Sequence, residues 1–180
     1  VDLASTSDLT SLSMMIVQDD IYYFKSWPFL PESALQQNVN AEFYKKMARN
    51  HHLIATNGNV TDYSEVTKVL LQIAERFTIG VFYESGNATQ WAIDCTAQGL
   101  PLTPISQSLG SFNRCTKEFE RLVKMGNCRI DNNPITRWCF DNVELKFDHN
   151  ENCKPVKKGG AKGGAAKIDS SISMLSALGG

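Results

Sequence analysis

The first part of the chain carries two apolar stretches separated by a short acidic break. Residues 9–17 are apolar and tolerate extended structure, and residues 21–29 are rich in aromatic side chains. The pair Asp19-Asp20 between them indicates a turn, so we predict a β-hairpin. Pro28 and Pro31 are expected to end strand structure, because proline lacks the amide that a central ladder needs.

Helical periodicity dominates the rest of the chain. Apolar side chains recur every three or four positions in six segments, which predicts helices over residues 41–50, 62–77, 87–98, 111–124, 133–141 and 168–178. Asp62 or Ser64 and, later, Asn133 are suitable N-caps. Short strands are predicted at residues 78–83, 102–105 and 143–147. A hairpin, then helix-strand alternation, then a closing helix predicts an α/β fold with a mixed sheet.

Composition narrows the class of protein. The 180 residues suit one globular domain, and 42% of them are hydrophobic. No apolar run approaches the roughly 20 residues of a membrane span, so we expect no membrane partner. The five cysteines are widely spaced and form no CxxC pair, which argues against a zinc site or a disulfide framework and favours a reducing cytosol.

The net charge of -1 conceals an uneven distribution. Five lysines and no acid lie between Lys154 and Lys167, and without them 13 of the 18 basic side chains remain against 19 acidic ones. Residues 157–166 also contain four glycines and no large apolar side chain, so they cannot form a core of their own. This pattern favours acids that hold cations beside a movable basic arm.

Three acids lie where predicted elements begin or end. Asp2 is in a short segment typical of a strand end, Glu84 follows the strand at residues 78–83, and Asp169 is in the first turn of the last helix. Active groups of α/β sheets gather at the carboxyl ends of strands. Carboxylates brought together there favour Mg²⁺ or Mn²⁺, and two such ions about 4 Å apart promote phosphodiester hydrolysis. The alternative for each acid is an ordinary solvated or helix-capping role.

A series of short motifs along the chain resembles one protein family in order and spacing. The matching segments are residues 1–10, 27–32, 58–63, 74–77, 83–84, 87–90, 116–118, 133–134, 137–138, 142–143, 167–169 and 177–178. Together they resemble the nuclease domain of the large terminase subunit of tailed bacteriophages. No single motif is decisive, but the match covers nearly the whole length.

The resemblance implies an RNase H-like fold and a set of metal ligands. It implies that Asp2, Glu84 and Asp169 bind two Mg²⁺ or Mn²⁺ ions, with Asp2 bridging them. Asp8 matches a further acid of the first-strand motif and is expected near the same metals. At residues 84–86 the chain departs from many relatives, which carry Asp followed by a basic and an aromatic residue. That departure affects expected contacts with DNA more than metal binding.

The resemblance also implies a biological role. It implies an endonuclease that cuts double-stranded concatemeric phage DNA during genome packaging, in the cytoplasm of the bacterial host. Residues 1–180 would form a single nuclease domain, the C-terminal part of a longer protein whose N-terminal ATPase motor is absent here. The expected partners of the full-length protein are the small terminase subunit and the portal. No GxxxxGK[ST] motif is present, so we expect no ATP hydrolysis by this chain.

The basic arm suggests how DNA is held. Lys157, Lys158, Lys162 and Lys167 are predicted to contact the DNA backbone without reading its sequence, because lysine binds phosphate as a point charge. The alternative is a flexible loop without a ligand. Ser173 and Ser176 share a helix face with Asp169 and are expected to leave room for a phosphate.

Two other functions fit the same sequence. One is an RNase H-like nuclease that resolves junctions or cuts RNA–DNA hybrids, which substrate preference would distinguish. The other is a DNA-gripping or portal-docking module that is silent as an isolated domain, which a metal-stimulated cleavage assay would distinguish.

Overall fold

The computed structural model describes residues 1–4, 8–86, 88–160 and 165–180. Its elements follow in chain order as β1 (Thr10–Gln18), β2 (Ile21–Pro31), α1 (Ala34–Gln37), α2 (Ala41–Arg49), β3 (Ile54–Thr56), α3 (Tyr63–Ala74), β4 (Val81–Glu84), α4 (Thr89–Ala97), β5 (Leu102–Ile105), α5 (Leu109–Lys124), β6 (Cys128–Ile130), α6 (Pro134–Asp141), β7 (Val143–Phe147), β8 (Cys153–Lys157) and α7 (Asp169–Gly179). The predicted helices and strands are all present, with ends that differ by a few residues. Three short strands and the one-turn α1 were not predicted.

The predicted hairpin is confirmed. β1 and β2 pair antiparallel from Thr10–Phe29 to Gln18–Ile21. The turn residues Asp19 and Asp20 have φ of 52° and 60°. Positive φ at both central residues matches the right-handed twist of the two strands, and aspartate tolerates this conformation better than most residues.

Pro31 ends the strand as expected, since it is the last residue of β2. The expectation that Pro28 ends it is wrong, because β2 continues for three residues beyond Pro28. Ser11 lies opposite Pro28, and its backbone N–H and C=O both bond to Asp2. These two groups therefore point away from β2. Pro28 is thus a non-hydrogen-bonded partner whose nitrogen points away from β1. On its other edge, β2 pairs with β6 at residues 22–24 and with β3 at residues 29–31. Pro28 lies between these two ladders, so its missing amide costs no strand pairing there.

The sheet is mixed, as predicted. β3 and β6 both pair parallel with β2, and β4 pairs parallel with β5. The segment around Asp2 joins the two sets of strands. Asp2 forms an antiparallel bridge with Ser11 of β1, and the Val1 nitrogen donates to the Phe82 carbonyl of β4. Asp2 therefore lies at the centre of the strand arrangement.

Helices cover this sheet and form three apolar clusters. The largest lies between the strands and helices α3 and α4, and includes Phe29, Val66 and Trp91. A second joins Leu9 to α2 and α6, and a third packs α5 against α7. The Asp62 side chain accepts from the Ser64 amide and that of Asn133 accepts from the Ile135 amide, so both predicted N-caps are confirmed.

Helix α7 packs on β1 through small polar side chains. Ser170, Ser171, Ser173 and Ser176 are all at most 1% exposed, and the Ser11 hydroxyl donates to Ser170 Oγ at 3.1 Å. The expectation that Ser173 and Ser176 leave room for a phosphate is wrong. Their small size instead lets the helix backbone approach the strand closely, since the separation of packed elements depends on the side chains between them.

The β7–β8 hairpin lies against α5. Cys153 and Pro155 of β8 are buried, and the Cys153 amide donates to the Asn113 side chain of α5 at 3.0 Å. The sequence analysis places Lys154 and Lys157 in the basic arm and predicts no strand there, whereas both belong to β8. Among the residues that the structure describes, every helix is too short or too polar to span a lipid bilayer.

Candidate active site

A cleft of about 240 Å³ opens where four parts of the fold meet. These are the Asp2 segment, the loop between β5 and α5, strand β8 and the start of α7. The lining residues are Asp2, Gln107, Phe112, Lys154, Pro155, Lys157, Ile168, Asp169 and Ile172. Two predicted acids and one predicted lysine therefore share one cleft, although they are far apart in sequence.

Asp2 is fixed by both its backbone and its side chain. Its amide and carbonyl pair with Ser11 at 2.9 Å each, so its position follows from strand pairing. The Gln107 amide donates to Asp2 Oδ1 at 3.1 Å. Burial raises the pKa of Asp2 to about 6, with the Glu84 and Asp8 charges raising it further and the Gln107 hydrogen bond opposing the shift. Asp2 thus holds its proton more tightly than an exposed aspartate does.

Asp169 is the more deeply buried of the two acids. It is the first residue of α7 and is 8% exposed, and its Oδ2 atom has no hydrogen-bond partner among the described residues. Burial raises the pKa of Asp169 to about 8, and the charges of Asp2 and Asp8 act in the same direction. A buried carboxylate oxygen without a partner is costly, and a bound cation relieves that cost.

Glu84 lies at the end of a strand as predicted, since it is the last residue of β4, but it is not among the residues that line the cleft. Both of its carboxylate oxygens lie 3.1 Å from the place where a Cβ on Gly86 would stand. A side chain at position 86 would therefore require the Glu84 carboxylate to shift by a few tenths of an ångström. Its charge nevertheless contributes to the raised pKa of Asp2, so the two carboxylates are electrostatic neighbours.

Asp8 is engaged by two lysines. Its carboxylate lies 2.7 Å from Lys167 Nζ and 3.4 Å from Lys157 Nζ. Burial alone would raise the pKa of Asp8, but the Lys167 hydrogen bond and the two lysine charges outweigh it and lower the pKa. Asp8 also contributes to the raised pKa of Asp2 and Asp169, which places it near the cleft acids as expected.

The acids fit a divalent cation in their chemistry. Carboxylate oxygens are the ligands that Mg²⁺ and Mn²⁺ prefer, and the unpartnered Asp169 Oδ2 is a free donor. Within the described ranges, no three Asp, Glu, His or Cys side chains are already clustered as metal ligands.

The predicted lysines have different surroundings. Lys157 lines the cleft, and Lys158 follows it on the surface. The Lys167 side chain is only 12% exposed, and its ammonium group contacts Asp8, so its contact with DNA stays a prediction. Lys162 lies outside the described residues.

Two cleft residues were not identified from the sequence. Gln107 follows the end of β5 by two residues, so the strand-end rule that singled out Glu84 also applies to it. Lys154 donates to the Gln107 carbonyl at 3.3 Å. Its place in the cleft depends on strand β8, which the sequence pattern did not reveal.

Comparison with known proteins decides the family. The family model described as "Terminase large subunit, endonuclease domain" matches residues 1–180. The chain belongs to this family. It is also 26% identical over 196 residues to "Protein YmfN" of Escherichia coli (strain K12), in a match that covers 99% of this chain and 41% of that protein.

The terminase endonuclease domain also resembles solved structures. The HK97 bacteriophage large terminase matches with a TM-score of 0.86 and 23% identity, over 99% of this chain and 38% of that one. The large terminase nuclease from thermophilic phage G20c matches with a TM-score of 0.64 and 13% identity, over 98% and 77% of the two chains. These likenesses confirm the predicted RNase H-like α/β fold. The domain spans about two fifths of the length of YmfN and of the HK97 protein.

Proposed function

We propose that this domain is a divalent-metal-dependent endonuclease that cleaves double-stranded concatemeric phage DNA during genome packaging. Membership of the terminase endonuclease family supports DNA as the substrate class. The observation that carries the proposal is the buried Asp169 carboxylate, whose Oδ2 lacks a hydrogen-bond partner among the described residues, in a cleft shared with Asp2 and two lysines.

Asp2, Glu84 and Asp169 are the residues that would hold the ions, Mg²⁺ or Mn²⁺. Ions held by these carboxylates would supply Lewis-acid chemistry for phosphodiester hydrolysis. Asp2 and Asp169 must first release their protons, since burial keeps them partly protonated at neutral pH. Gln107 occupies one oxygen of Asp2 and so limits the orientations that its carboxylate adopts.

Lys154 and Lys157 supply the positive charge for the DNA backbone. Both line the cleft beside Asp2 and Asp169. Their ammonium groups attract a phosphate toward acids that would repel it. Lysine contacts of this kind position DNA without reading its sequence, so we expect little sequence preference.

The proposed cellular setting follows from the family. The longer protein would carry an ATPase motor before this domain and would act with the small terminase subunit and the portal. It would work in the cytoplasm of the bacterial host, where packaging substrates are long duplexes. Cutting there starts and ends the filling of a capsid.

A plasmid assay tests the proposal. Supercoiled plasmid is incubated with the domain and Mn²⁺, Mg²⁺ or EDTA, and nicked and linear products are measured. We expect cleavage only with a divalent ion, falling to background in Asp2→Ala, Glu84→Ala and Asp169→Ala. Asp94→Asn, which removes an exposed acid on α4, is the matched control and should cut like the wild type. Folding of each variant is checked by circular dichroism.

The same assay separates the alternatives. Faster cutting of a four-way junction or an RNA–DNA hybrid than of plain duplex would favour a resolving or hybrid-cutting nuclease. A folded wild type that cuts no DNA with any ion would favour a docking module. Cutting that persists in all three alanine variants would show that these acids do not carry the reaction.

A further inference from the structure

The two ends of the lysine- and glycine-rich segment meet at Asp8. Lys157 is the last residue of β8, and Lys167 lies two residues before Asp169 at the start of α7. Although ten positions separate them, both ammonium groups contact the same carboxylate, at 3.4 Å to Oδ2 and 2.7 Å to Oδ1. Asp8 therefore ties the end of a strand to the beginning of the helix that carries Asp169.

Asn142 forms a second tie between the same ends. Its backbone carbonyl accepts from the Lys158 amide at 2.8 Å, and its side chain donates to the Lys167 carbonyl at 3.2 Å. These bonds involve the backbone of the two lysines and not their ammonium groups. Asn142 therefore holds the backbone at both ends of the segment without help from Asp8. The contacts of Asp8 instead fix the positions of the two ammonium groups.

Asp8 itself is firmly placed. The next residue, Leu9, is 1% exposed and belongs to the apolar cluster formed with α2 and α6. The Leu9 amide donates to Asp8 Oδ1 at 2.9 Å, so the backbone also orients the carboxylate. A carboxylate with this support can hold a lysine in one position.

Lys167 needs such a partner. Its side chain is 12% exposed, and an ammonium group with so little water requires a nearby negative charge. Asp169 lies only two residues further along and has an oxygen without a partner among the described residues. Lys157, which also contacts Asp8, lines the cleft with Asp2 and Asp169. The Lys167 ammonium group would be available to neutralise Asp169 if Asp8 released it.

We propose that Asp8 is a positioning residue that holds the Lys167 ammonium group away from Asp169. The Asp169 carboxylate then stays available to a cation, while Lys157 remains beside the cleft for phosphate. This inference rests on the proposed function for the cation. It replaces the expectation that Asp8 itself binds the metal.

A double-mutant cycle on Mn²⁺ affinity tests this role. Wild type, Asp8→Asn, Lys167→Met and the double variant are titrated with Mn²⁺ by calorimetry without DNA. In the presence of Lys167, we expect Asp8→Asn to weaken binding about tenfold, the lower end of the range for residues that orient metal ligands. In the Lys167→Met background the same change should have little effect, since no ammonium remains to turn toward Asp169. Asp94→Asn controls for general loss of negative charge.

A metal ligand would behave differently. If Asp8 bound the ion directly, Asp8→Asn would weaken Mn²⁺ binding equally in both backgrounds, and the proposal would be overturned. Unchanged affinity in Asp8→Asn alone would overturn it as well.

Urea unfolding in EDTA provides a readout that does not depend on the metal. Asp8→Asn should lower the unfolding midpoint in the Lys167 background and change it less in the Lys167→Met background. Equal shifts in both backgrounds would mean that the ion pair is absent, and the proposal would fail. If the wild type bound no Mn²⁺, the proposed function would fail, and this unfolding cycle would still decide whether Asp8 holds Lys167.

Discussion

The chemistry of the site depends on how deeply individual carboxylates are buried. Asp169 and Asp2 have their pKa raised to about 8 and about 6, chiefly by burial, while Asp8 is lowered by its lysines despite partial burial. A proton and a cation thus compete for the carboxylates of Asp2 and Asp169, whereas Asp8 stays ionised. Sequence reasoning found all three as candidates. It did not separate their roles, because burial and lysine contacts depend on the assembled fold.

Asp169 makes the stability of the domain depend on pH. Its pKa rises on folding from 3.8 to about 8, so the folded state binds the proton more tightly than the unfolded chain does. The stabilisation that proton binding by Asp169 gives the folded state is fully present below pH 3.8, the pKa in the unfolded chain, and is lost as pH rises toward 8. The loss is at most about 1.4 kcal/mol for each unit by which the two pKa values differ. In EDTA, we therefore predict a clear fall in unfolding free energy between pH 5 and pH 9, in urea titrations at about unit intervals.

Asp169→Asn should remove most of the decrease in unfolding free energy between pH 5 and pH 9, because the amide side chain does not ionise. Mn²⁺ should reduce the fall in the wild type, since a cation compensates the buried charge, and should not act on Asp169→Asn in this way. A wild type whose stability in EDTA is flat or rises over this range would contradict the assignment of Asp169 as a buried, proton-binding acid.

At the scale of elements, the sequence predicted structure well wherever periodicity was strong. Helix α3 and the β1–β2 hairpin carry clear apolar patterns and standard end signals, such as the Asp62 cap and the Asp19-Asp20 turn. Strands β3 and β6 are three residues long, too short to show alternation, and exist because β2 offers an edge. Strand β8 was missed because its lysines and proline are unusual in a strand. Its stability comes from pairing with β7 and packing on α5.

The serines of α7 illustrate a limit of helix-face reasoning. Ser173 and Ser176 are buried and do not line the cleft, although Asp169 does. On the same helix, Ser170 accepts a hydrogen bond from Ser11 of β1. We predict that Ser173→Leu destabilises the domain by about 1–3 kcal/mol, the usual cost of overpacking a close contact. Thermal or urea unfolding measures the change. Gln72→Leu, at an exposed position of α3, is the control and should be nearly neutral. A neutral Ser173→Leu would mean that α7 and β1 are not closely packed.

At the scale of the whole molecule, the fold brings acidic and basic side chains together around one cleft. Residues from the start, middle and end of the chain meet there, including Asp2, Gln107, Lys154 and Asp169. The sequence analysis predicted that the acids meet beside the basic segment. It did not predict the contacts that bring them together, which are the Asp2–Ser11 bridge and the β7–β8 hairpin. Gln107 and Lys154 could be assigned to the cleft only once those contacts were known.

The cleft lysines should set the salt dependence of DNA binding. We predict that Lys154→Gln and Lys157→Gln each weaken duplex affinity for all sequences and reduce the slope of log K against log salt by about one. Fluorescence anisotropy in EDTA, at several salt concentrations, measures this without cleavage. Lys146→Gln, an exposed lysine of β7 outside the cleft lining, is the control. If the control changed the slope as much as the cleft variants did, DNA would not be bound specifically at this cleft.

The central claim is that Asp2, Glu84 and Asp169 hold divalent ions, and locating Mn²⁺ tests it most directly. Crystals of the domain soaked in MnCl₂ give an anomalous difference map in which Mn²⁺ is recognised by its own scattering. We expect peaks within bonding distance of Asp2 and Asp169. We also expect the Glu84 carboxylate to leave its position beside Gly86 and to contact an ion. Peaks only elsewhere, or none at this cleft in a well-occupied soak, would contradict the claim.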